Sequence, residues 1–104
     1  MKRRYELPYP ENIIKDVLEP TSLLRKDTDN KIRVEILKAF SNLNDKDKTI
    51  CTLRYVDELT YRKIGEKYAV SGNRIRQLNV RAIYRIRRKL INNGFLEYKS
   101  QKYT

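Results

Sequence analysis

Apolar residues recur at helical spacing in the middle of the chain, from about Lys31 onward. One stripe with the period of an amphipathic helix consists of Ile32, Ile36, Leu37, Phe40 and Leu43. Asn44 or Asp45 can end this helix and begin a second one. The second helix is predicted to reach about Val56, with Ile50 and Leu53 on its inner side.

The chain before this region has a weaker pattern. Residues 1–10 contain Pro8 and Pro10, so no regular structure is expected there. Asn12 to Glu19 can form a short helix that ends at Pro20. Residues 21–30 are polar and are interpreted as a linker.

Two further helices are predicted, with a short turn between them. Thr60 is a good N-cap for a helix over Tyr61 to Tyr68, and Ser71 for a longer helix from about Gly72 to Leu90. Two helices joined by three or four residues form the helix-turn-helix pattern. The predicted fold class is all-α: a four-helix domain over residues 31–90 that ends in a helix-turn-helix. Residues 1–30 are an N-terminal extension with an extra short helix, and residues 91–104 are a tail.

The last helix has two different sides when its residues are placed at about 100° intervals. Ile75, Leu78, Ala82 and Ile86 share one side, whereas Asn73, Gln77, Val80 and Tyr84 point the opposite way. A recognition helix places its N-terminal turns in the major groove, where Asn and Gln pair with adenine and apolar groups meet thymine methyls. We therefore predict base contacts from Asn73, Gln77 and Val80. We predict contacts to the DNA backbone from Ser71, Arg74, Arg76, Arg81, Arg85 and Arg88.

The charge distribution supports a polyanionic partner. The chain has a net charge of +11, with 12 Lys and Arg against 11 Asp and Glu in residues 1–60 (net +1) and 12 against 2 in residues 61–104 (net +10). Such a one-sided basic block binds phosphates with release of counterions. A merely solubilising surface is the simpler alternative, but six arginines without an acid in residues 73–90 exceed what solubility requires.

An enzyme, a metal-binding protein and a membrane protein all fit the composition poorly. The absence of His removes the commonest general base and metal ligand, and Cys51 is the only cysteine. Cys51 is interpreted as a core residue, and no cofactor or metal is expected. No apolar run approaches the ~18 residues of a membrane span, so a cytoplasmic protein without a membrane partner is expected.

The chain also resembles the fourth, promoter-binding region of bacterial sigma factors over roughly residues 31–89. The resemblance rests on Leu53-Arg-Tyr55, Leu59-Thr-Tyr61, Ile64-Gly-Glu66, Val70-Ser71, Arg74-Ile-Arg-Gln77 and Ala82. It implies contact with double-stranded promoter DNA at the upstream (minus-thirty-five) element and docking on the beta-subunit flap of RNA polymerase. It also implies base reading by Gln77.

The sequence departs from this family in three respects, of which the first is Ala69 at a turn position where the family often has Gly. The family usually has Arg and Glu where this chain has Gly72 and Asn73, so its usual base preference is not implied. No part of residues 1–30 is similar to the DNA-melting second region, and we expect a stand-alone regulator. A composition rich in Lys, Ile, Asn and Tyr is consistent with a phage or prophage source. The alternative is an interaction protein that binds the polymerase or a separate sigma-like subunit without reading DNA alone.

Overall fold

The computed structural model describes residues 11–23 and 29–99. Residues 1–10, for which no regular structure is expected, lie outside this range. Part of the predicted linker and the last residues of the predicted tail also lie outside it. The elements in chain order are α1 (Glu11–Leu18), β1 (Thr21–Leu23), α2 (Asp29–Ser41), α3 (Asp45–Cys51) with a π-helical turn (Thr52–Val56), α4 (Tyr61–Tyr68), α5 (Gly72–Asn92) and β2 (Leu96–Tyr98). The predicted all-α class with an extra N-terminal helix is confirmed, as is the helix-turn-helix formed by α4 and α5.

A small antiparallel ribbon joins the two ends of the described chain. Thr21 pairs with Tyr98, and Leu23 pairs with Leu96. The chain turns back after α5 at Gly94, whose φ of 84° favours glycine, and the amide of Phe95 donates to the carbonyl of Leu90. The sequence pattern indicated only a linker and a tail here, because pairing between residues so far apart leaves no local periodicity.

The turn between α4 and α5 is tightly built. Thr60 Oγ1 accepts from the amide of Lys63, and Ser71 Oγ accepts from the amide of Arg74, so both predicted N-caps are confirmed. A Cβ on Gly65 would lie 2.5 Å from the carbonyl oxygen of Val70. Glycine is therefore needed at position 65 because the turn itself passes over α4.

The hydrophobic interior has two clusters that meet along α5. The larger one combines α1, α2 and the C-terminal half of α5 with Phe95 and Leu96. The smaller one consists of Ile50, Ile64 and Ile75, surrounded by partly buried Leu and Tyr side chains. Because α5 contributes to both clusters, it packs against the other helices along most of its length.

Helix α1 is part of the larger cluster. Its side chains Ile13, Ile14 and Val17 are buried. The last four carbonyls of an α-helix lack partners within the helix, and here each one accepts a hydrogen bond. The carbonyl of Lys15 accepts from the amide of Glu19, and that of Leu18 accepts from Thr21 Oγ1.

The remaining two carbonyls are satisfied by a side chain of α5. Arg87 Nη2 donates to the carbonyl of Asp16 at 2.9 Å, and Arg87 Nε donates to that of Val17 at 3.0 Å. A cation at the C-terminal end of a helix also interacts favourably with the helix dipole. The guanidinium of Arg87 therefore attaches α1 to α5.

We predict that Arg87→Met lowers the free energy of unfolding by about 2 kcal/mol, because two charge-assisted hydrogen bonds are lost at a partly exposed site. Urea denaturation followed by circular dichroism measures the change. Arg88→Met is the matched control, since Arg88 is exposed and its loss removes the same charge. Equal destabilisation by the two variants would contradict the role given to Arg87.

Candidate nucleic-acid interface

The exposed side of α5 presents the side chains that the sequence pattern singled out. Asn73 and Gln77 are exposed, and Val80 and Tyr84 have exposed fractions of 50% and 47%. At about 100° per residue, these four positions fall within roughly 60° of one another. The opposite side of the helix is buried, and Ile75, Ala82 and Ile86 have no exposed surface. The predicted two-sided character of α5 is therefore present in the structure.

The start of α5 leaves backbone amides available for a ligand. The first hydrogen bond of the helix runs from the amide of Ile75 to the carbonyl of Ser71, while Ser71 Oγ accepts from Arg74. The amides of Gly72 and Asn73 precede these bonds and have no acceptor within the helix. Oriented N–H groups of this kind attract anions.

Gly72 also explains how the two helices of the motif approach each other. A Cβ at position 72 would lie 3.0 Å from the amide nitrogen of Arg62, close to the start of α4. Its neighbours Arg62 and Lys63 have exposed side chains. They were not among the predicted site residues, although the first helix of such motifs commonly crosses the DNA backbone.

Asn73 and Arg76 are connected to each other. Arg76 Nε donates to Asn73 Oδ1 at 3.1 Å on the surface of α5. An amide oxygen has two lone pairs, so Asn73 Oδ1 still has one acceptor site, and its Nδ2 remains a donor. The guanidinium of Arg76 thus orients the Asn73 amide.

The predicted backbone-binding arginines have different surroundings. Arg74, Arg76, Arg81 and Arg88 are exposed, as is Ser71. Arg85 is half-exposed and forms an ion pair with buried Asp47, with 3.2 Å between Nη1 and Oδ2. Arg85 is therefore directed toward α3, a contact that the helical pattern of α5 alone does not reveal.

Val80 lies at the edge of the exposed row. It lines a shallow cleft of about 190 Å³ together with Asp16, Tyr55, Tyr61, Asn79, Ile83 and Arg87. The cleft separates α1 from the exposed side of α5. Val80, for which a base contact is predicted, thus also borders the side of the domain where α1 lies.

A buried polar group lies directly behind this row. Asn79 is 2% exposed. Its Nδ2 donates to the hydroxyls of Tyr55 at 2.9 Å and Tyr61 at 3.4 Å, and its Oδ1 accepts from the thiol of Cys51 at 3.5 Å. The hydroxyl of Tyr55 in turn donates to Asp16 Oδ2 at 2.7 Å.

Asn79 is not among the site residues predicted from the sequence. The signal was its place on the buried side of α5, four residues after Ile75, where the surrounding pattern is apolar. A polar side chain at such a position requires partners. Those partners come from α3, the π-helical turn and α4, and local sequence gives no indication of them.

Burial determines the protonation of this cluster. It raises the pKa of Cys51 to about 12, with a smaller contribution from the charge of Asp47. It also raises the pKa of Tyr55 above its ordinary value, and the nearby Asp16 acts in the same direction. Both groups are therefore protonated at neutral pH, and the Cys51 thiol is not a reactive thiolate.

The described residues contain neither a candidate metal site nor a candidate membrane span. Residues 11–23 and 29–99 hold no group of three or more Cys, Asp or Glu able to bind a metal ion. Within the same ranges, no helix has both the length and the apolar character needed to cross a bilayer.

The geometry defines the class of the domain. Two capped helices meet through a three-residue turn, and the second helix exposes amides and arginines while its other side is buried. This is a helix-turn-helix domain. Residues 39–88 match the family model "Sigma-70, region 4". The chain therefore contains a sigma-70 region 4 domain.

The similar proteins are named as RNA polymerase sigma factors. The chain is 36% identical over 62 residues to RNA polymerase sigma factor FliA of Escherichia coli K12. The aligned residues are 60% of this chain and 26% of that protein. FliA of Yersinia enterocolitica is 32% identical over 66 residues, covering 64% and 29%. The chain thus spans little more than a quarter of the length of these relatives. No solved structure matches it.

Proposed function

We propose that this protein is a sequence-specific DNA-binding transcription regulator that reads promoter DNA with α5. The observation that carries the proposal is the exposed row of amide side chains at the start of α5, flanked by arginines in a sigma-70 region 4 domain. A helix of this charge and width fits the major groove, and its first turns reach the base edges.

Base reading is assigned to Asn73, Gln77 and Val80. The planar amides of Asn73 and Gln77 can each donate to N7 and accept from N6 of adenine. The hydrogen bond from Arg76 holds the Asn73 amide in one orientation, which lowers the entropic cost of this contact. Val80 offers an apolar surface to a thymine methyl.

Phosphate binding is assigned to residues on both sides of this row. Ser71 Oγ and the first amides of α5 form a phosphate site at the helix N-terminus. Arg74, Arg76, Arg81 and Arg88 extend from the helix into solvent, and Arg85 can contribute through its exposed portion. Because α5 has no acidic residue, nothing on the helix itself repels a phosphate.

The second proposed partner is RNA polymerase. Two supports are the sigma-70 region 4 family and the relatives, which are themselves named RNA polymerase sigma factors. We propose contact with the beta-subunit flap at the upstream promoter element, with a separate sigma-like subunit as a further partner. We assign no residues to these protein contacts.

Selection of bound duplexes from a random DNA pool is predicted to enrich one sequence, and Gln77→Ala is predicted to lose one base position of it. The loss should cost about 1–3 kcal/mol on the preferred duplex, because a bidentate base contact is removed. Asn92→Ala, at the far end of α5 about 22 Å away, is the control and should keep the full preference. Equal weakening of all sequences by Gln77→Ala would exclude base reading by this residue.

Arg81→Ala is predicted to weaken binding to every duplex and to lower the slope of log affinity against log salt by about 1, since one phosphate contact releases about one counterion. Fluorescence anisotropy at several salt concentrations measures the slope. Lys38→Ala on α2 removes the same charge from a side chain that pairs with Glu35, and its slope should stay at the wild-type value. An unchanged slope for Arg81→Ala would remove this arginine from the DNA interface.

The polymerase contact is predicted to survive the loss of base reading. Immobilised Gln77→Ala protein should retain purified core polymerase as well as the wild type does, because Gln77 is assigned to base reading and not to the polymerase contact. Polymerase with a deleted beta flap is the control and should not be retained. Failure of wild-type protein to retain core polymerase would contradict this part of the proposal, whereas DNA selection tests the other part independently.

A further inference from the structure

The polar cluster around Asn79 is nearly fully satisfied. Both amide protons of Asn79 have hydroxyl acceptors, and its oxygen has the thiol of Cys51 as donor. The hydroxyl of Tyr55, which is 4% exposed, accepts from Asn79 and donates to Asp16. Hydrogen bonds are directional, so each of these contacts restricts distance and angle more narrowly than an apolar contact would.

The cluster connects α5 with α1, α3, the π-helical turn and α4. Asp16 belongs to α1, Tyr55 to the π-helical turn and Tyr61 to the first turn of α4. All of these connections converge on Asn79, which lies between Gln77 and Val80 on the same helix. The side chains that face the DNA and the one that anchors the helix are therefore one or two residues apart.

The apolar contacts of α5 do not supply the same restraint. The buried side of the helix includes aliphatic Ile75, Ala82 and Ile86, and the hydrophobic effect that buries such side chains is not directional. A rotation of α5 by 20° about its axis would move a side chain tip 6–7 Å from the axis by about 2 Å, which is enough to break a base contact. A buried polar group with fixed partners excludes such alternative arrangements.

We propose that Asn79 and Tyr55 are positioning residues that fix the rotation of α5, and that they thereby determine sequence discrimination and not general DNA affinity. This inference rests on the proposed function. General affinity depends on exposed arginines, whose long side chains adjust to small helix movements, whereas short amides on the reading side do not. Asp16 links α1 to the same cluster through Tyr55, so the N-terminal helix also contributes to this restraint.

The test compares Tyr55→Phe and Asn79→Leu with the wild type on two duplexes, the sequence enriched by selection and a scrambled duplex of the same composition. Both variants should lower the ratio of the two affinities about tenfold, which corresponds to the loss of one well-made contact. Affinity for the scrambled duplex and its salt slope should remain within about twofold of wild type. The concentration of active protein is determined by stoichiometric titration. A partly unfolded sample is then not mistaken for a protein of lower affinity.

The control is Tyr98→Phe, which removes a hydroxyl from a half-exposed tyrosine in β2, outside the cluster. It should leave the affinity ratio unchanged. The double variant Tyr55→Phe/Asn79→Leu should lose no more discrimination than the larger single loss, because the two residues act as one unit. If Asn79→Leu does not fold, Tyr55→Phe alone provides the comparison, since it removes a single oxygen atom.

The outcomes are distinct. A lower thermal midpoint with an unchanged affinity ratio for Tyr55→Phe would overturn the inference, since it would show a purely structural role. Parallel weakening on both duplexes would also overturn it. A wild-type protein that prefers no sequence would instead remove the proposed function, and this inference with it.

Discussion

The burial of one side of α5 is the interaction on which the remaining structure depends. This helix contributes Ile75 to the smaller hydrophobic cluster and Ala82, Ile86 and Leu90 to the larger one, so it joins all the other helices into one body. Burial of each large aliphatic side chain stabilises the fold by about 1.5–3 kcal/mol. The same burial leaves the opposite side of the helix exposed with its amides and arginines. Stability and the candidate interface are therefore two consequences of a single amphipathic helix.

The cations of α5 have two different uses. Arg87 and Arg85 interact with the protein itself, one with the carbonyls at the end of α1 and the other with Asp47. Within residues 11–23 and 29–99, the arginines nearer the reading side have no such hydrogen bond or ion pair with another helix, and Arg76 bonds to Asn73 within α5. The net charge of α5 therefore overstates the positive electrostatic potential that the helix presents to DNA. The side of α5 that faces α1 offers less free positive charge than the helical pattern suggests, because Arg87 donates to the backbone carbonyls of Asp16 and Val17.

The N-terminal helix and the C-terminal strand extend the structural unit beyond the residues that match the family model. Residues 39–88 carry the match, yet Ile13 and Val17 on one side and Leu96 on the other are as deeply buried as any residue within it. The division into an extension, a domain over residues 31–90 and a tail stays a prediction. The ribbon and the contacts of Arg87 connect the extension and the tail directly to the central part of the structure. The buried cluster at Asn79 shows that this connection reaches the helix proposed to read DNA.

The sequence by itself determined the features that depend on local spacing. These are the helical periods, the caps at Thr60 and Ser71, the two sides of α5 and the basic C-terminal part of the chain, since each needs only residues within a few turns of one another. Only the tertiary structure decided which polar side chains face inward or toward a neighbour. The partners of Asn79, Arg85 and Arg87 lie 18 to 71 residues away along the chain. Hydrogen bonds over such separations leave no periodic signal, because they form only after packing has brought distant elements together.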